Sequence, residues 1–177
     1  RVVGEYLAAE HLREIMSVGP SEADVLATLF PRGDGVQVAA PHLAPVGAWL
    51  AGEHEPTLRM MIQCAPEHLI DEGDPARLSV EARRSALHAY ALRFGDRERV
   101  QHYFSRVPLS RFASPAMSET LKDMLGKDGA APPLLKTLIE IAEAGENRSC
   151  FGVVRSFISH PSDVVRRAAL HAVFVLT

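Results

Sequence analysis

The 177-residue chain is 47% hydrophobic and 23% charged, with a formal charge of −3 at neutral pH. It is too apolar for a disordered polymer and long enough to bury a core. Its weak negative balance gives no overall attraction to nucleic acid or to an anionic membrane. No stretch approaches the roughly 18 apolar residues of a membrane span, and the first residues lack the basic and apolar segments of a signal peptide. The expectation is a cytoplasmic protein with no membrane partner. Cys64 and Cys150 each lie in an apolar helical pattern far from the other, as buried thiols do.

Val3, Leu7, Leu12, Ile15 and Met16 recur at helical spacing over residues 2–18, and Gly19-Pro20 stops that helix. Ser21 is a suitable N-cap for a second helix running to about Phe30. Gly33 and Gly35 then favour a turn, leaving Val36 and Val38 room for a short extended piece at most. From Pro41 the helical period returns with Leu43, Val46, Trp49 and Leu50 on one face, and Gly52 closes it. A further helix spans Glu55 to Cys64, carrying Leu58, Met61 and Ile62.

Ser79 caps the next helix, whose stripe is Leu87, Ala91 and Phe94, with Gly95 at its end. A shorter helix is expected at about Asp96 to Ser105, followed by an irregular segment, "VPLSRFASPA". Helices follow near 116–125, 133–144, 149–159 and 162–176. The strong helix starts near 41, 79 and 117 are about 38 residues apart, a period at which paired helices stack into solenoids. The expected fold class is therefore all-α, with helical hairpins stacked as an irregular HEAT-like solenoid. A compact bundle is the other arrangement open to these helices.

Two stretches carry a family resemblance. "PLLKTLIEIAEAG" and "HPSDVVRRAALHAV" resemble a HEAT repeat, whose second helix opens with Asp, then Val-Arg, then small residues, here Asp163, Val165, Arg166, Ala168 and Ala169. "EYLAAEHL", Glu5 to Leu12, resembles the helix that follows the winged-helix part of NACHT-type STAND ATPases. The following segment to about residue 95 is similar in order to bacterial members, with Ala48-Trp49-Leu50 and Gly73-Asp74 as landmarks.

The resemblance implies a segment of a longer protein. Residues 1–32 would be a helical segment following a winged-helix and NTPase region, and residues 33–177 a HEAT-like repeat region. The nucleotide-binding motifs of that family lie upstream of the matching stretch. The "GK" at Gly126-Lys127 has Leu121 where a phosphate loop needs its first glycine and Asp128 where it needs Ser or Thr. No ATP site, no cofactor and no enzymatic activity are expected of this segment. Its expected partner is another protein or the parent ATPase core.

Motif chemistry adds little. None of the eight histidines has another four residues away, and neither HExxH nor GxSxG occurs. "EHEP" at 53–56 and "EHL" at 67–69 read as solvated helix ends, and Trp49 reads as core. Charge is the feature above background. Eight arginines lie between Arg77 and Arg111 against Glu81, Asp96 and Glu98. The candidate interaction surface is Arg83, Arg84, Arg93, Arg97, Arg99 and Arg106, with Tyr90, Tyr103 and Phe104 available for stacking. It would serve an acidic protein partner or, in the alternative reading, nucleic acid.

Overall fold

A computed structural model describes residues 2–19, 21–97 and 102–177. Over these residues the protein is all-α, with eleven α-helices, four short 3-10 turns and one two-stranded ribbon. It forms two compact units, Arg1–Ala89 and Tyr90–Thr177.

The first unit begins with α1 (Val2–Val18) and α2 (Glu22–Leu29). Ser21 caps α2 by accepting the Asp24 amide at 3.3 Å, which satisfies one of the four orphan donors at a helix start; Pro20 lies outside the described residues. The glycine-rich turn becomes a ribbon, β1 (Arg32–Gly33) paired antiparallel with β2 (Val36–Gln37). Asp34 (φ 51°) and Gly35 (φ 77°) both take the left-handed conformation that tight two-residue hairpins demand.

Next come α3 (Ala44–Ala51), α4 (Glu55–Cys64) and α5 (Pro66–Asp71). The spacing predicts one apolar face on α3. Instead it is enclosed on nearly every side, with Pro45, Val46, Gly47, Ala48, Leu50 and Ala51 buried. Helices α1, α4 and α5 pack on it, and a helix surrounded in this way needs no polar face. Trp49 is the half-buried exception, its ring met edge-on by Tyr6 at 5.3 Å between centroids. Close packing over α3 is also written at Gly73. Its φ is +69°, and a Cβ there would stand 2.8 Å from the Ala48 carbonyl, so only glycine lets this loop lie on the helix backbone.

Helix α6 (Val80–Phe94) starts as expected, with Ser79 Oγ accepting the Ala82 amide at 3.1 Å. Its residues as far as Ala89 belong to the first unit and the rest to the second. The expected helix at 96–105 differs from what is seen. Residues 98–101 lie outside the described residues, and residues 102–105 are not helical. The next helix is α7 (Arg106–Phe112), inside the segment expected to be irregular. Pro108 stands at its third position, where the backbone N–H has no intrahelical acceptor, so proline removes nothing from the ladder.

The second unit continues with α8 (Ser118–Leu125), α9 (Pro132–Ala144), α10 (Phe151–Ser156) and α11 (Asp163–Leu176). The expected starts near 41, 79 and 117 correspond to α3 at Ala44, α6 at Val80 and α8 at Ser118. Helix α9 is the spine of this unit, with α7, α8 and α11 packed on it and Leu138, Ile139, Ile141 and Ala142 fully buried. Val165 and Ala169 are among the points of α11 enclosed most completely, the small residue admitting a close neighbour. Arg166 donates to the carbonyls of His160 and Pro161 at 2.9 and 2.8 Å, tying α11 to the turn before it. Asp163 in the first turn bonds Arg166 and Arg167 and faces the positive helix end.

Candidate functional site

The first unit carries an open apolar groove of about 440 Å³. Leu12 and Ile15 of α1 form one wall, Val25 and Leu29 of α2 the other, and Leu43 and Val46 the floor. Leu12, Ile15 and Leu43 stay partly exposed, while Val25, Leu29 and Val46 are buried. His11, Asp24 and Thr28 supply its polar edge. Apolar surface continues outward along α1. Leu7, one turn before His11, is 59% exposed, and Val3, one turn earlier, is 70% exposed. The expected apolar stripe of α1 is therefore present but only half used. Of its seventeen residues only Ala9 is buried; α1 packs on α3 and meets α2 far less.

What holds α1 is partly electrostatic. Glu53, at the α3–α4 turn, accepts from Arg13 of α1 and also pairs with Arg77, while Arg13 pairs with Glu10 within its helix. Helices α1 and α2 together carry Glu5, Glu10, Glu14, Glu22 and Asp24 against Arg13; of these acids Asp24 lines the groove itself, while Glu10 pairs with Arg13 and Glu22 lies 3.8 Å from His54 Nε2.

A smaller cleft of about 220 Å³ opens in the second unit among Phe104, Arg106, Leu109, Glu140, Glu143 and His171. Glu143 is its centre. Its side chain is 11% exposed, and it bonds His171 Nδ1 at 2.9 Å with the Arg106 guanidinium at 3.7 Å. Glu140 is engaged by Lys136 at 2.7 Å. Among the described residues, no group of three or more His, Cys, Asp or Glu side chains is disposed to hold a metal ion.

Both thiols are buried and unbridged. Cys64 Sγ lies 3.4 Å from the Gln37 carbonyl, and Cys150 Sγ lies 3.7 Å from that of Ser118. Burial raises the Cys150 thiol above its ordinary value, against a smaller opposing pull from Lys122. The "EHEP" stretch is indeed a helix end, with the His54 imidazole accepting the Thr57 amide at 3.3 Å as the N-cap of α4. "EHL" at 67–69 is likewise a helix end, the first turn of α5, but it is not solvated throughout, since Glu67 and His68 are half-buried and Leu69 is fully buried.

The chain matches no family model, no curated protein and no solved structure.

The sequence-predicted arginines divide between the units. Arg83 and Arg84 of the first are half-buried. Burial lowers the Arg83 guanidinium from its usual value, and Arg84 lies 3.7 Å from Glu81. Arg93 and Arg97 of the second are exposed, each over the Phe94 ring at 5.5 and 5.7 Å, while Arg106 belongs to the Glu143 cleft. Arg99 lies outside the described residues. Of the aromatic partners, Tyr90 is buried and engaged by His102 at 3.0 Å, which removes it from any stacking surface. Phe104 stacks on His102. Tyr103 is exposed beneath Lys136.

Sequence reasoning passed over the groove. Periodicity marks Leu12, Ile15, Leu43 and Val46 as apolar-face residues, yet it cannot tell a face that is covered from one that is open.

Proposed function

We propose that this chain is a non-catalytic helical interaction module, the sensor-side region of a bacterial NACHT-type STAND ATPase. In this reading its helices stack as a HEAT-like platform that recognises a trigger or packs on the ATPase core, and so biases that core between resting and assembled states. The observation that carries the interaction role is the open groove between α1 and α2. Contiguous apolar surface of this kind, edged by a few polar groups, is the usual mark of a binding surface. The parentage is supported by the "EYLAAEHL" stretch on α1 and by the Asp163, Val165, Arg166, Ala168 and Ala169 pattern on α11.

The test is direct. The coding sequence upstream of Arg1 should specify a phosphate-loop ATPase. That part, produced separately, should bind this chain in a calorimetric titration. An upstream sequence with no such loop, or an ATPase part that does not bind, contradicts the proposal.

Arg93 and Arg97, exposed around Phe94, support a second reading as a nucleic-acid-binding module. It requires duplex or single-stranded DNA binding at low salt that falls steeply as salt rises; no binding at low salt rejects it.

A further inference from the structure

We infer that the α1–α2 groove receives an amphipathic helix bearing leucine-type anchors on one face and lysine or arginine along its flanks. The inference rests on the interaction-module reading and names the chemistry of the partner.

Three observations converge on this occupant. The walls are themselves helices, and the groove between them presents side chains and no unpaired strand edge. It therefore suits the helix-in-groove mode, in which anchors at i, i+4 and i+7 enter a shared apolar channel. The length is limited by α2, whose eight residues span about 12 Å. Two to three turns of partner helix would lie along it, with Leu12, Ile15 and Leu43 as the half-exposed surface they cover.

Charge then selects the sign of the partner. Asp24 stands at the groove edge. Glu14 precedes Ile15 on α1 and is exposed, as is Glu22 at the start of α2. Arg13 of α1 is already engaged by Glu10 and Glu53, so it does little to neutralise those carboxylates toward an incoming chain. A basic flank is attracted and an acidic one repelled. The exposed Leu7 and Val3 extend the apolar track past His11, giving a longer partner further surface along α1.

The probe is a fluorescein-labelled synthetic helix of fourteen residues, with leucines at i, i+4, i+7 and i+11 and lysines elsewhere on its flanks. A twin carries glutamate in place of every lysine. Fluorescence anisotropy against the whole 177-residue chain should show the lysine peptide binding about tenfold or more tightly than its twin at low salt. That gap should narrow as salt rises.

Leu12→Asp, at a half-exposed position, should cost the lysine peptide at least tenfold in affinity. Glu14→Lys combined with Asp24→Lys, both exposed, should abolish or invert the preference, with circular dichroism showing that each variant keeps its helix content. Equal binding of the twins, no binding of either, or indifference to all three substitutions would overturn the inference. So would a concentration-dependent dimer in sedimentation that Leu12→Asp dissolves, because a second copy would then occupy the groove. If the ATPase part binds and the lysine peptide does not, the occupant is wrong while the module reading stands. If the peptide binds and the ATPase part does not, the occupant's chemistry stands and the parentage falls.

Discussion

Helices α1 and α9 are both amphipathic by sequence, yet one buries Ala9 alone and the other buries eight of its thirteen residues. Helix α9 is packed by neighbours that exclude water from most of its circumference, so its apolar residues contribute to stability directly. Helix α1 is held by contact with α3, by Tyr6 against Trp49 and by the Arg13–Glu53 pair, leaving much of its apolar surface open. Apolar surface that stabilises nothing within the fold is surface available to a partner, and the contrast separates the structural part of the sequence from the part we assign to recognition.

The largest expected effect breaks the spine. Leu138→Ala removes a fully buried side chain from α9 and should cost about 3 kcal/mol or more in a denaturant titration, whereas Leu7→Ala on α1 should change stability by less than about 0.5 kcal/mol. Equal losses at the two positions would erase the contrast. Next is Gly73→Ala, which combines a left-handed backbone with a Cβ driven against Ala48 and should cost about 2 kcal/mol, read as a lowered thermal midpoint.

Glu53→Gln should have a smaller global effect of about 1 kcal/mol, since its pairs are partly solvated. Its signature is local, a faster amide exchange along α1 with α9 unchanged. The smallest effect concerns pH. The folded state holds the Cys150 thiol protonated after the unfolded chain's thiol has ionised. That contribution is complete below the ordinary thiol value and is lost as pH rises through the raised one. Alkaline titration of stability should therefore fall more steeply in the native chain than in Cys150→Ala.

Much of this fold can be read in advance where local chemistry decides the outcome. Ser21 and Ser79 sit where their hydroxyls cap helices, Gly33 to Gly35 supply a turn, and Arg166 hydrogen-bonds to the preceding turn. The reading misses where tertiary context or position within an element overrides composition. Pro108 suggests a break, but in a first turn it is harmless, so α7 forms around it. Helix α3 shows an apolar face in sequence and is buried on nearly every side, Trp49 excepted, because three helices converge on it.

The candidate site is legible only in part. The arginine excess is visible in sequence, but the half-burial of Arg83 and Arg84 and the approach of the exposed Arg106 to Glu143 depend on neighbours distant in the chain. Leu12, Ile15, Leu43 and Val46 of the groove are marked as apolar-face residues in sequence, whereas Val25 and Leu29 of its second wall are not; its openness follows from how little α1 and α2 meet, which no periodicity encodes.

Amide exchange of the chain with and without a saturating lysine-flanked amphipathic helix distinguishes a recognition face on α1 and α2 from one elsewhere. New protection should be confined to α1 and α2, with α9 and α11 unchanged. Protection centred on α9 and α11, or none on α1 and α2 at saturation, would contradict recognition at α1 and α2.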